Sequence, residues 1–197
     1  MIWVAAALAY IVHDWVELAG FAATALGIWL TARRVLWCWP IVLSADVLYL
    51  VVFYQARLLS DALLQVFFIG FTLYGWWHWW RGIREDGKVR VEPLSRISLL
   101  IGIAAGAVGC VALGAVTVRL GAALPFLDAA LASYSLVASW WQARKHTANW
   151  WLWIVVDAIY IGEYIYKNLW PTAVLYAVLV VLAVVGLRDW RSATARA

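Results

Sequence analysis

The sequence predicts an all-α integral membrane protein. Its seven transmembrane helices would form two parallel three-helix repeats joined by a linker helix, a 3+1+3 plan. Three observations lead there. Of 197 residues, 66% are hydrophobic and only 13% charged, whereas soluble domains run near 45–50% apolar and about 25% charged. Apolar stretches of about 20 residues, the length that crosses a bilayer, recur between short loops that hold most of the charge. Finally, the rarer residue types of residues 17–80 recur in residues 128–191 at a constant offset of 111 with no gap, within twelve identities in 64 positions.

Each element has its own justification. Residues 1–14 lack the basic start and the small-residue cleavage site of a signal peptide and are too short to span, so they read as a lead-in at the membrane face. The first helix, 15–32, stops at Arg33 and Arg34; the second, 38–55, carries Pro40 in its first turn, where proline is tolerated. The third, 59–80, ends in the aromatic run "WWHWW". The segment "GIREDGK" (82–88) imitates a phosphate-binding loop, but Val89 replaces the hydroxyl residue that would hold Mg²⁺ and no strand precedes it. It reads as a charged cytoplasmic loop. The fourth helix, 96–117, is rich in Gly and Ala and has no buried charge, as suits a closely packed linker. The fifth, sixth and seventh follow at 124–142, 149–166 and 170–188. The first repeat is thus 15–80, loop and linker 81–123, the second repeat 124–190, and a cytoplasmic tail 191–197.

The net charge of +4 does not indicate nucleic acid. Loops after helices one, three, five and seven hold Arg33, Arg34, Arg81, Arg84, Lys88, Arg90, Arg96, Arg144, Lys145, Arg188, Arg191 and Arg196. The opposite side holds only Arg57, Arg119 and Lys167. By the positive-inside rule the N-terminus lies outside and the C-terminus in the cytoplasm. Cys38 and Cys110 have neither disulfide nor metal spacing and read as packing residues. His13, His78 and His146 read as solvated or interfacial, without an acid or thiol at ligand spacing. No metal and no cofactor are expected.

The offset of 111 pairs the rarer residue types: Trp29 with Trp140, Arg33 with Arg144, Trp39 with Trp150, Asp46 with Asp157, Tyr49 with Tyr160, Gly75 with Gly186, and Trp79 with Trp190. Two of these pairs carry chemistry. On a helical wheel Trp150, Trp153, Asp157, Tyr160 and Tyr164 fall within an arc of about 80°, an aromatic stripe with a carboxylate in its middle. Asp157 would lie roughly 10 Å from the cytoplasmic end, and Asp46 at the same depth in helix two beside Trp39 and Tyr49. An acid there costs on the order of 3 kcal/mol even on lenient insertion scales, so such residues read as functional by default. Two acids ringed by indoles and phenols suit an organic cation, which the carboxylates neutralise and the ring faces attract.

Blander readings stand beside this one. Most of the 16 tryptophans sit at helix ends on the basic side, as an interfacial belt does; Trp153, a turn deeper, reads as part of a site. Asp46 and Asp157 could instead bond neighbouring hydroxyls and lock helix packing. Gln65, a buried amide one turn inside helix three, is a ligand or an interhelical bond. Glu163 is off the stripe and nearer the outer end, and its role stays open.

"LLQVFFIGFTLYGWWHW" (63–79) and "NWWLWIVVDAIYIGEYIYKNLWPTAVLY" (149–176) resemble the PnuC family of bacterial vitamin transporters. The likeness runs from about Glu17 to Trp190 and rests on the YGWxxW and NWxxWI motifs in combination. It implies a fold like a full-length SWEET transporter, a homotrimer in the bacterial cytoplasmic (inner) membrane, and uptake by facilitated diffusion with later trapping by a kinase. It places the family's substrate-binding WxxW pair at Trp150 and Trp153 and its helix-three glutamine at Gln65. Nicotinamide riboside carriers of the family have asparagines at the positions of Asp46, Thr72 and Asp157, and no acid at Glu163; thiamine- and riboflavin-type relatives more often have Asp at 157. Family prevalence puts nicotinamide riboside first, thiamine second and the neutral riboflavin third.

The expected function is therefore a carrier for a cationic vitamin or nucleoside precursor, working by alternating access. The substrate-binding set is Trp150, Trp153, Asp157, Asp46, Gln65, Tyr160, Tyr49 and Glu163. A different class would be an intramembrane enzyme using Asp46 and Asp157 as paired carboxylates, although no glycine flanks Asp157 as in the aspartyl protease signature. A scaffold that binds no ligand is a third.

Overall fold

A computed structural model describes residues 19–55, 59–83, 87–119 and 124–194. The lead-in 1–14, His13, the start of the first helix and the end of the tail lie outside them. The described residues hold seven helices: α1 (Ala19–Ala32), α2 (Cys38–Gln55), α3 (Leu59–Trp80), α4 (Arg96–Arg119), α5 (Pro125–Ala143), α6 (Ala148–Tyr166) and α7 (Trp170–Thr194). Residues 38–55, 96–119 and 172–194 are long and apolar enough to cross a membrane by composition alone. Helices α3, α5 and α6 have 22, 19 and 19 residues, or about 28–33 Å at 1.5 Å per residue. Their Trp, Tyr and polar residues lower mean hydropathy without shortening them. The all-α membrane expectation holds. Helix α7 runs six residues past its predicted end at 188, because nothing in "RDWRSAT" breaks a helix and the burial of Trp190 extends tertiary packing into that turn.

Helix α4 packs on α5, α2 on α3, and α6 on α7; α5 also touches α3 and α6. Gly102, Gly106 and Gly114 of α4 sit against the rings of Trp141, Tyr134 and Phe126 of α5, where any Cβ would collide. That close approach explains the small residues of α4. Its opposite face, with Ile97, Leu100, Val108 and Val111, is exposed, as a lipid-facing surface is.

The turns between α1 and α2 and between α5 and α6 share one geometry. Arg34 N–H donates to the Thr31 carbonyl at 2.9 Å and Val35 N–H to that of Leu30 at 3.1 Å. Lys145 N–H donates to Gln142 at 2.9 Å and His146 N–H to Trp141 at 2.9 Å. These are Schellman pairs, with Arg34 at φ 61° and Lys145 at φ 64°. Cationic residues take the left-handed position that glycine usually fills, and their charge suits the negative helix end. Each turn position is 111 residues from its counterpart.

Indoles fill the space between these corners. Trp39 meets Trp79 edge-on at 5.2 Å, Trp150 meets Trp190 edge-on at 5.4 Å, and Trp79 touches Trp190 at 5.8 Å. Trp79 Nε1–H donates to the Gln142 carbonyl at 3.2 Å, and Trp190 Nε1–H to the Thr31 carbonyl at 3.1 Å. The interfacial-belt reading is corrected for these four, which are at most 2% exposed. Gly75 and Gly186 make the room, the first against Trp39 and the second against Trp150. Trp37, Trp77, Trp80, Trp151 and Trp170 remain exposed, as belt residues would be.

The charged loop is also more than a solvated connection. Val89 and Val91 are buried among the indoles. Lys88 bridges Val35 in antiparallel fashion, Glu92 bridges His146 in parallel, and Glu92 N–H donates to the Lys145 carbonyl at 2.9 Å. His146 is therefore buried beneath the loop rather than solvated, at 8% exposure. Burial lowers the proton affinity of both the His146 ring and the Lys145 ammonium, with Glu92 opposing in each case.

Candidate functional site

Asp157 lies in the middle of α6, with only 4% of its surface exposed. Among the described residues no hydrogen-bond donor reaches its carboxylate. One turn on stands Tyr160, which stacks with Tyr164 at 5.7 Å. Tyr176 of α7 meets Tyr160 at 4.7 Å and Tyr164 at 5.1 Å, and Ser135 of α5 lies beside the Tyr160 hydroxyl. An ionised carboxylate here is desolvated, short of hydrogen bonds among the described residues, and close enough to Tyr160 and Tyr176 for its charge to act on both. Such an acid attracts a cation strongly, and the rings offer their negative faces to it.

Asp46 in α2 is placed differently. It is half-buried, and its Oδ2 accepts a hydrogen bond from Thr72 Oγ1 of α3 at 2.8 Å. Tyr49 stacks on Phe53 at 6.0 Å and lies against Gly20. Gln65 is half-buried with its carbonyl oxygen buried and unpartnered. Among the described residues the backbones of α2 and α6 do not come close; α2 packs on α3, and α6 on α5 and α7.

Trp153 is held by its Nε1–H on Gln142 Oε1 at 3.1 Å and packs against the indole cluster. Trp150 belongs to that cluster, 1% exposed, with its own N–H lacking an acceptor among the described residues. Glu163 is buried at the far end of α6 and pairs with Lys167. Sequence reasoning misses Tyr176, Ser135 and Gln142. Tyr176 has a signal, as an isolated phenol in the apolar run of helix seven; the other two have none. The groove of about 390 Å³ between α3 and α5, lined by Val66, Phe67, Tyr74 and Trp140, is apolar and excludes both acids.

A family described as "Nicotinamide mononucleotide transporter" matches residues 14–192. The chain belongs to that family. Among curated relatives, the nicotinamide riboside transporter PnuC of Escherichia coli (strain K12) is 26% identical over 203 residues, covering 90% of this chain and 85% of its own. The riboflavin/roseoflavin transporter RibM of Streptomyces davaonensis is 30% identical over 181 residues, covering 89% of this chain and 84% of its own. A crystal structure of the vitamin B3 transporter PnuC superposes with a TM-score of 0.78 at 22% identity, covering 98% of this chain and 87% of the other. The protein is thus a multi-pass membrane transporter with the PnuC fold. The enzyme reading is set aside, since these relatives are transporters.

Proposed function

We propose that the protein carries a cationic vitamin or nucleoside precursor across the bacterial cytoplasmic membrane by facilitated diffusion through alternating access. The observation that carries this is Asp157, buried among tyrosines without a donor. Nicotinamide riboside, a pyridinium, is the first choice, in keeping with the function of the E. coli relative; thiamine, a thiazolium, fits the same physics. Asp157, Tyr160 and Trp153 would hold the ring, with the free N–H of Trp150, and Asp46, Tyr49 and Gln65 would face it from α2 and α3. The inside-negative potential favours inward movement by about 2.3 kcal/mol per charge per 100 mV.

The moving parts in this reading are two parallel three-helix halves, 15–80 and 124–190, with 81–123 as loop and linker. The matched turns and reciprocal indole bonds at an offset of 111 support it, as does the rule that one intervening helix keeps odd-numbered repeats parallel. In this reading the N-terminus lies outside and the C-terminus in the cytoplasm, which the charge asymmetry supports. A homotrimer follows from the family resemblance.

Riboflavin is a second reading, favoured by the 30% identity to a riboflavin/roseoflavin transporter. Tryptophan fluorescence of the purified protein, titrated with nicotinamide riboside, thiamine and riboflavin, separates the readings. Saturable quenching by a cation, lost in Asp157→Asn, is expected. Quenching by riboflavin alone, unchanged in that variant, would sink the cation site.

A further inference from the structure

Glu163, Lys167 and Asp128 meet at the ends of α5 and α6 opposite the basic corners. The Lys167 ammonium pairs with Glu163 Oε1 and lies 3.5 Å from Asp128 Oδ1. Two carboxyl groups thus share one ammonium. The Glu163 side chain is only 3% exposed, and its Oε2 is buried with no hydrogen-bond partner among the described residues. The Asp128 and Lys167 side chains are each 33% exposed, so the cluster opens outward on one side and is closed on the other.

The local backbone fixes this arrangement. Lys167 N–H donates to the Glu163 carbonyl at 2.9 Å, and Asn168 follows at φ 59° in a third Schellman turn. The chain therefore leaves the helix directly after Lys167, whose side chain folds back over Glu163 one turn below. From Glu163 to Asp157 is six residues of the same helix, about 9 Å at 1.5 Å per residue.

We propose that Asp128 and Glu163 form an entry station for organic cations, with the Lys167 ammonium standing in for the cargo until a cation displaces it. The inference rests on the cation reading of Asp157. Displacement exchanges one cation for another on the same carboxylates, so the buried Glu163 is never left uncompensated, the state that would be costly. The freed ammonium has water within reach, since its side chain is one-third exposed. A neutral solute cannot displace it, and the station therefore selects by charge before the cargo reaches Asp157.

The test is uptake of labelled nicotinamide riboside into proteoliposomes, with tetramethylammonium as a competing probe. Lys167→Gln should lower the KM three- to tenfold and strengthen inhibition by tetramethylammonium to a similar degree. Lys167→Arg should leave both unchanged, and Asp128→Asn should raise the KM. Arg119→Gln removes a cation from the same end without touching the trio. An equal fall in KM for that variant would overturn the proposal, since net charge alone would then account for it. Should Lys167→Gln not fold, an unchanged KM in Asp128→Asn would overturn it as well. Failure of the underlying reading looks different, because Asp157→Asn would then transport normally. If Asp157→Asn abolishes uptake while Lys167→Gln keeps its KM, only the entry station falls.

Discussion

Asp46 and Asp157 occupy matching places in α2 and α6, yet one is satisfied and the other is not. Thr72 donates to Asp46 at 2.8 Å. The position 111 residues beyond Thr72 is Ala183, which has no hydroxyl to give. The corners at the basic ends of these helices, by contrast, agree bond for bond. The difference separates two demands. Architecture constrains the turns and indoles on both sides alike. Under the proposed cation site, the open acid of α6 would carry most of the charge and the bonded acid of α2 less.

The sharpest way to break this comparison is to neutralise each acid in turn. Asp157→Asn should weaken cation binding about 100-fold, equivalent to roughly 2.7 kcal/mol. Asp46→Asn should cost about tenfold or less, since asparagine can still accept the Thr72 bond. Equal losses in fluorescence titration would erase the distinction. Next come the glycines. Gly75→Ala and Gly186→Ala should each destabilise the protein by about 1–3 kcal/mol through overpacking, because an added Cβ meets Trp39 in one and Trp150, at 2.6 Å, in the other. Thermal unfolding in detergent should give similar shifts, and a large inequality would mean that the corners are not equivalent. Ala183→Thr should weaken binding about tenfold, or roughly 1.4 kcal/mol, by giving Asp157 the donor that Asp46 has. The smallest effect belongs to Thr72→Ala, a stability loss of about 1 kcal/mol for one hydrogen bond with affinity nearly unchanged.

Much of this was legible before any coordinates. Hydropathy and charge placed the helices within a few residues, and Asp157 and Tyr160 stood out because polar groups in an apolar run require a reason. The offset of 111 was carried by scarce residue types. Partners were harder to read. Nothing near Trp39 or Trp150 in the chain says that a glycine 36 residues later will make room for it, so the general habit of tryptophan points Trp39 to the membrane surface, and Trp150 to that surface or to the substrate. Gln142 gave no sign of bonding Trp153, and Thr72 was read as a departure from the family's asparagine rather than as the donor to Asp46. A hydropathic pattern records which face is buried, but not what buries it. For the same reason Val89 looked like a failed phosphate loop, when its apolar side chain is what seats the loop among the indoles.

The two reciprocal indole bonds have a consequence for how the protein is made. The Thr31 carbonyl, near the end of α1, takes one hydrogen bond from Arg34 N–H within its own turn and a second from the Trp190 indole, 159 residues later. At 5–20 residues per second of synthesis, roughly 8–30 s separate the two. During that interval the first corner has its turn but not the indole that covers it. The earliest corner to emerge is thus the last to be completed, and a nascent chain stalled before α7 would leave that corner uncovered for whatever surveys the membrane for incomplete proteins.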